Sequence, residues 1–258
     1  MNNLRVALIQ SAIVARAPEA NLQWYEEQMA GAQGCDLLVL PEVFTTGFSA
    51  SARDYAESVD GRAYQWMADQ AQKLGAVVTG SLVVLEAGRY VNRLVWMPPD
   101  GRYRHYDKRH LFRMAGEHQR FAMGRERVLV ELRGWRILPL VCYDLRFPVW
   151  SRNRNDYDLA LYVANWPAAR ALHWQRLLQA RAIENLSYVV GVNRIGQDDS
   201  GQAYQGDTGV YGPGGEVLLE AGDEPGCFCV ELDASRLSEY RASFPAHLDA
   251  DHFDLKMD

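Results

Sequence analysis

Cysteine is scarce: four residues in a chain of 258 are too few for the disulfide lattice that staples small secreted domains. Cys227 and Cys229 stand one residue apart in a β-like run, too close for an ordinary zinc pair, and read as packing. No apolar stretch is long enough to cross a bilayer. Met1-Asn2-Asn3-Leu4-Arg5 leads straight into a short strand-like segment, without the longer apolar core of a signal peptide. Positive charge is not in excess. The 27 Lys and Arg against 33 Asp and Glu leave a net charge of −6 with the signs well mixed. With neither a basic stripe nor a polybasic helix, the chain is expected to bind no nucleic acid and no membrane surface. No Gly-Lys-Ser/Thr accompanies its glycine-rich turns, which excludes a phosphate cradle of that type. His105, His110, His118 and His173 lack metal-ligand spacing, and Asp249, Asp251 and His252 read as a solvated tail. Nothing calls for a metal or a cofactor, and the expected setting is the reduced cytoplasm.

What is present is a mixed α/β pattern. A hydrophobic fraction of 48% supports a sizeable core, and no composition shift divides the chain, so residues 1–258 are expected to form one domain. Strands are predicted at Val6–Ile9, Asp36–Leu40, Ala76–Leu85, Tyr90–Met97, Arg136–Cys142, Asp158–Val163, Tyr188–Val192, Gly209–Tyr211 and Glu216–Glu220. Gly88 joins the third and fourth of these as a hairpin, and Gly212-Pro213-Gly214-Gly215 turns the last two. Helices are predicted at Ala17–Ala32, opened by Pro18, at Arg62–Leu74 and at Ala169–Asn185. In the last, Ala171, Trp174, Leu178 and Ala182 recur on one apolar face. Leu111 to Arg127 has no clean periodicity. The Asp- and His-rich tail from about residue 245 is expected to wrap over the surface. The mixture favours a layered α/β sandwich over an all-parallel barrel.

Three polar groups directly follow buried-strand patterns: Glu42, Cys142 and Asn165-Trp166. Sites in α/β sheets assemble at the carboxyl ends of strands, and a carboxylate and a thiol delivered to one edge make a base–nucleophile pair. Cys142 closes the run Ile137-Leu138-Pro139-Leu140-Val141 and precedes a turn-prone stretch. A helix starting just beyond would lower its pKa from about 8.5 through the helix dipole and backbone N–H groups. Alone, Cys142 would be an inert core thiol. Lys108 sits among Arg104, Asp107 and Arg109 and alone would be a solvated charge.

Together, Leu40-Pro41-Glu42, Asp107-Lys108-Arg109-His110-Leu111-Phe112 and Val141-Cys142-Tyr143-Asp144-Leu145-Arg146-Phe147-Pro148 resemble the three catalytic blocks of the nitrilase (carbon–nitrogen hydrolase) superfamily, in the expected order. The resemblance continues through Ala164-Asn165-Trp166-Pro167, Arg181-Ala182-Ile183-Glu184-Asn185, Gly191-Val192-Asn193-Arg194, Tyr204-Gln205-Gly206 and the Gly212–Gly215 turn. It spans nearly the whole chain and is most like the ω-amidase branch.

The resemblance implies a four-layer α-β-β-α sandwich, usually dimerised, so a homodimer is expected with Ala169–Asn185 near the interface. It implies that Cys142 attacks an amide carbonyl and that Glu42 serves as general base and then acid. Lys108, with the Tyr143 backbone N–H, would face the oxyanion. Glu117 occupies the position of a second glutamate that orients the lysine. Tyr143, Trp166 and Phe48 are candidate lining of the substrate pocket. Arg146 could hold a substrate carboxylate, although pairing with Asp144 is an equally simple use for it; Arg170 is ambiguous in the same way. Arg181 and Glu184 read as a helix ion pair. The expected substrate is a small linear ω-amide, α-ketoglutaramate or α-ketosuccinamate, hydrolysed through a thioester without a cofactor. An N-carbamoyl amino acid or a nitrile would suit the same machinery. A thiol-based sensor or binding protein is the non-enzymatic alternative.

Overall fold

In the computed structural model, residues 1–256 are described. The first half of the chain supplies β1 (Leu4–Gln10), α1 (Pro18–Gln28), β2 (Leu37–Val39), β3 (Glu57–Ser58), α2 (Arg62–Leu74), β4 (Val77–Glu86), β5 (Arg89–Met97) and β6 (Arg104–Asp107). The second supplies β7 (Val130–Leu132), β8 (Trp135–Val141), α3 (Pro148–Ser151), β9 (Leu159–Ala164), α4 (Ala171–Asn185), β10 (Tyr188–Asn193), β11 (Ile195–Gln197) and β12 (Ala203–Gln205). It continues through β13 (Gly209–Tyr211), β14 (Val217–Glu220), β15 (Gly226–Leu232) and α5 (Ala234–Ser243).

Two large sheets result. One has the order β15-β1-β2-β4-β5-β6, with β3 also paired to β4; the other runs β14-β13-β10-β9-β8-β7. Each has three parallel strands at its centre, β1-β2-β4 in one and β8-β9-β10 in the other; the strands outside them pair antiparallel, except the short β3, which is parallel to β4. The small β11–β12 ribbon stands apart.

Side-chain alternation explains the layering, since successive residues of a strand point to opposite faces. Val6 and Leu8 of β1, with Leu37 and Val39 of β2, join a core shared with Leu138, Leu140 and Tyr162 of the other sheet. Their neighbours Ala7, Ile9, Leu38 and Leu40 face the other way and pack against Leu22 and Tyr25 of α1 and Tyr64, Met67 and Ala71 of α2. On the far side, Trp174, Leu178 and Ala182 of α4 and Leu237 of α5 pack on the second sheet. The molecule is therefore the expected α-β-β-α sandwich.

One helix–sheet contact, between β10 and α4, is sterically specified. A Cβ on Gly191 would come within 2.4 Å of Leu178 Cδ1 and 2.8 Å of Trp174 Cζ2. Helix ends follow local rules: Pro18 opens α1, Gly75 at φ 63° closes α2, and the Asp233 side chain accepts from the Ser235 and Arg236 N–H groups to cap α5.

Some expectations need correction. The helix expected over Ala17–Ala32 stops at Gln28 and continues as a 3₁₀ turn over Met29–Ala32, which includes Gly31. The helix expected from Ala169 begins with a 3₁₀ turn, Ala168–Arg170. β6, β7, the β11–β12 ribbon and α5 were not anticipated; they are short or largely polar, so their local patterns carry little signal although β6, β7 and the ribbon pair with near neighbours in the chain. At the tail, Phe253 lies under the Arg154 guanidinium, 4.8 Å from ring centroid to Cζ, and Leu255 packs against the main core.

Trp174 is fully buried and its indole N–H donates to Asp207 O at 2.8 Å. Trp174→Ala is expected to cost about 3–5 kcal/mol, read as a lower denaturant midpoint. A loss below about 1 kcal/mol would show that α4 does not depend on this anchor.

Candidate active site

Parallel strands deliver their carboxyl ends to one rim, and the chemically equipped residues follow those ends. Glu42 comes three residues after β2, Lys108 directly after β6, Cys142 directly after β8, and Asn165 directly after β9. Although far apart in sequence, Glu42, Lys108, Cys142 and Asn165 line one cavity of about 870 Å³.

Lys108 is the point of convergence. Its Nζ lies 2.9 Å from Glu42 Oε1 and 3.1 Å from each carboxylate oxygen of Glu117. Glu42 and Glu117 are fully buried and Lys108 is 1% exposed. Such charges persist in an interior only when paired and hydrogen-bonded. Glu42 is further fixed by Asn92, whose Nδ2 donates to Oε1 at 2.8 Å, and by the Asn165 backbone N–H, which donates to Oε2 at 2.7 Å. Asn165 Nδ2 donates to the Glu42 carbonyl at 2.5 Å. The Phe112 N–H donates to Glu117 Oε2. Glu117 does not line the cavity; it stands behind Lys108.

The chain bends sharply where it presents these groups. Cys142 has φ 44° and Val43, next to Glu42, has φ 42°. Residues bearing a Cβ seldom adopt this left-handed region, and each such residue costs about 1–3 kcal/mol unless its surroundings hold it. Ser81 Oγ accepts from the Val43 N–H at 2.8 Å. Around Cys142 the restraint is Asp144. Its Oδ2 accepts from the Val141 N–H at 3.0 Å and from Tyr106 Oη at 2.8 Å, and its Oδ1 accepts from the His110 N–H at 2.9 Å. Asp144 thus ties the cysteine turn to the segment that carries Lys108.

This corrects two expectations. Asp144 is fully engaged elsewhere and does not pair with Arg146. Instead Arg146 lies over the Trp166 ring at 4.8 Å and donates to His173 Nδ1 at 2.8 Å. Nor does Cys142 have a lowered pKa. Burial raises it well above the usual thiol range, and the Glu42 carboxylate raises it further, against the opposing pull of Lys108. The expected helix dipole is missing because only a 3₁₀ turn, Cys142–Arg146, and the four-residue α3 follow.

For Lys108, burial disfavours the charge, but Glu117 and Glu42 outweigh it and hold the ammonium protonated beyond the ordinary lysine range. Burial raises the Glu117 carboxyl pKa, with Lys108 drawing it down and Glu42 pushing it up.

Phe48, Tyr143, Trp166 and Arg146 all line the cavity. The Phe48 ring lies 5.3 Å from Lys108 Nζ, within cation–π range. Arg170 also lines the cavity, over Phe112 at 5.6 Å. Burial and then the like charge of Arg170 lower the Arg146 pKa, so this wall favours an anion. Arg181 and Glu184 form the expected ion pair at 2.9 Å, and Arg181 also donates to Leu145 O at 2.7 Å. Sequence reasoning missed Asn92 and the hub role of Asp144. Asn92 sits in a hairpin strand with no motif of its own, and its place in β5 between β4 and β6 brings it to Glu42 on one side and Lys108 on the other.

Comparison with known proteins supplies the family. The carbon-nitrogen hydrolase family model matches residues 5–242. Omega-amidase YafV of Escherichia coli strain K12 is 50% identical over 256 residues, covering 99% of this chain and 100% of the relative. The 2-oxoglutaramate amidase of Bacillus subtilis strain 168 is 36% identical over 215 residues, covering 81% of this chain and 83% of the relative. A CN-hydrolase superfamily protein from Xanthomonas campestris, crystallised with an arsenic adduct in its active site, superposes with a TM-score of 0.97. It is 46% identical and covers 99% of this chain and 100% of its own. The chain belongs to the carbon-nitrogen hydrolase family and is an amide-hydrolysing enzyme.

Proposed function

We propose that the protein is a cysteine-dependent ω-amidase that hydrolyses the terminal amide of a small dicarboxylic keto acid, α-ketoglutaramate or α-ketosuccinamate, to carboxylate and ammonia. The observation that carries this reading is the buried Glu42–Lys108–Glu117 cluster beside Cys142 at the floor of a cavity whose wall holds Arg146 and Arg170. The names of the two relatives, an omega-amidase and a 2-oxoglutaramate amidase, support the substrate class.

The raised pKa of Cys142 makes its resting form a neutral thiol. As Sγ attacks the amide carbon, the thiol proton passes to Glu42, and the carbonyl oxygen becomes an oxyanion. The Lys108 ammonium and the Tyr143 backbone N–H stabilise that charge where it develops, a contribution typically worth about 10²–10³ in turnover per donor. Glu42 returns the proton to the leaving nitrogen, the C–N bond breaks, and ammonia departs from a thioester. Glu42 then deprotonates water, which attacks the thioester carbon and releases the acid and the thiol. Glu117 keeps Lys108 charged and oriented throughout, while Arg146 and Arg170 hold the distal carboxylate.

The test is a panel of α-ketoglutaramate, α-ketosuccinamate, an N-carbamoyl amino acid and a nitrile, with ammonia and carbon dioxide both monitored. Ammonia release from a keto-acid amide, abolished by Cys142→Ala, is expected. Turnover surviving in that variant, or confined to the carbamoyl or nitrile compound, would overturn the assignment; thiol modification without turnover on any amide would indicate a sensor.

Arg146→Ala should raise KM for a keto-acid amide by about 10–100-fold, the loss of one charge-assisted contact, while leaving the KM of an uncharged aliphatic amide nearly unchanged. An equal effect on both substrates would exclude carboxylate binding.

Alkylation of Cys142 by iodoacetamide should still be accelerating above pH about 9, because the thiol titrates above the ordinary range near 8.5. Glu42→Gln removes the negative charge that raises this pKa, so its alkylation profile should shift to lower pH as amide turnover is lost. A plateau near pH 7 in the native protein would show a preformed thiolate.

A further inference from the structure

Three of the four cysteines gather on the outer face of the first sheet, away from the proposed chemistry. Cys35 precedes β2, and Cys227 and Cys229 lie two apart on β15, where they pair with Ile9 and Ala7 of β1. Cys35 Sγ lies 3.4 Å from Cys229 Sγ, although the two residues are 194 positions apart in sequence. The Cys229 thiol in turn donates to Gly31 O at 3.1 Å, beneath the 3₁₀ turn Met29–Ala32. Cys227 lies under the same turn, so a Cβ on Gly31 would sit 3.2 Å from Cys227 Cβ. None of the three lines the cavity of Cys142.

Their exposures differ in a useful way. Cys229 is exposed, Cys227 half-buried and Cys35 buried. An oxidant arriving from solvent therefore meets Cys229 first, with Cys35 already in contact behind it. A disulfide bond measures about 2.05 Å, so closure needs the two sulfurs to approach by about 1.4 Å from their present separation. Cys227 also neighbours Cys229 on the strand, but the sulfur recorded in contact with Cys229 is that of Cys35. Cys35 is the better-placed partner.

We propose that Cys229 and Cys35 form an oxidative modification site, in which hydrogen peroxide converts the pair to a disulfide that staples β15 to the segment entering β2. Cys229 sulfur attacks the peroxide oxygen, the O–O bond breaks, and sulfenic acid forms with release of one water. Cys35 sulfur then displaces the sulfenic hydroxyl; its own proton leaves with that hydroxyl as a second water, and the S–S bond closes. Two thiols are oxidised and one hydrogen peroxide is reduced to two waters. Burial and the neighbouring Cys229 push the Cys35 thiol up to about 12, in keeping with the second rather than the first role.

The bond would close a very long loop, the arrangement in which cross-linking restricts the unfolded chain most. Because Cys35 and Glu42 lie at opposite ends of β2, the expected result is a more stable protein with its cavity unchanged.

The experiment treats the intact protein with hydrogen peroxide, blocks remaining thiols with N-ethylmaleimide under denaturing conditions, and digests it without reductant. Mass spectrometry should find a peptide pair joined through Cys35 and Cys229, lost on treatment with dithiothreitol. Cys227→Ser should still form it; Cys229→Ser and Cys35→Ser should not. The thermal midpoint should rise on oxidation of the native protein and of Cys227→Ser, but not of the other two. A Cys227–Cys229 bond, a cross-link between chains, further oxidation of Cys229 while Cys35 remains open to N-ethylmaleimide, or an unchanged midpoint in the joined protein would overturn the proposal.

Discussion

A single ammonium group buried between two carboxylates organises the candidate site. Lys108 lies within hydrogen-bonding distance of both Glu42 and Glu117, and all three are removed from water. Desolvating charges is costly, and removing one partner of a buried pair commonly costs about 3–5 kcal/mol because the other is left uncompensated. The arrangement therefore requires each backbone segment to be held in place. Asn92 shows how closely the two requirements meet: its side chain donates to Glu42 at 2.8 Å while its carbonyl accepts the Lys108 N–H at 2.9 Å. One residue of a central hairpin thus fixes the spacing between base and ammonium.

The same constraint accounts for the strained turns. Cys142 and Val43 occupy the left-handed region, and in each case a buried polar side chain, Asp144 or Ser81, holds the adjacent backbone. Asp144 also engages Tyr106 and His110, so the thiol turn and the lysine segment form one polar network. Under the proposed mechanism this rigidity sets the direction of attack. It also allows a thiol that rests protonated to be used at once, since its base and oxyanion donor need no rearrangement.

Pattern reasoning recovered the elements with strong local signals. Apolar runs marked the central strands, Gly88 marked the β4–β5 hairpin, and the recurrence of Trp174, Leu178 and Ala182 marked α4. It failed at β6, β7 and α5, whose short or polar sequences carry too weak an apolar period to be told from loop. It also misjudged the electrostatics of Cys142. A cysteine ending a buried strand looks as if it should face a helix dipole; in the folded chain it faces Glu42, whose negative charge acts in the opposite direction. Asp144 was similarly misread, because its sequence neighbour Arg146 looks like its natural partner, while Tyr106, on β6 of the other sheet, and His110, just past that strand, stand 38 and 34 positions away.

Local chemistry in the amino-acid sequence was enough to indicate a layered α/β class and the central strands, because burial period and turn-forming residues are properties of neighbours; the three reactive blocks, Lys108 above all, were recognised through resemblance to a family. Only the tertiary structure decided which charges meet and with what sign they act on the thiol. It also decided that Arg146 faces the cavity and that Cys35 touches Cys229 across 194 positions of chain. Electrostatic interaction and sulfur contact depend on distance in space, and the chain sets that distance only once its sheets are paired and stacked.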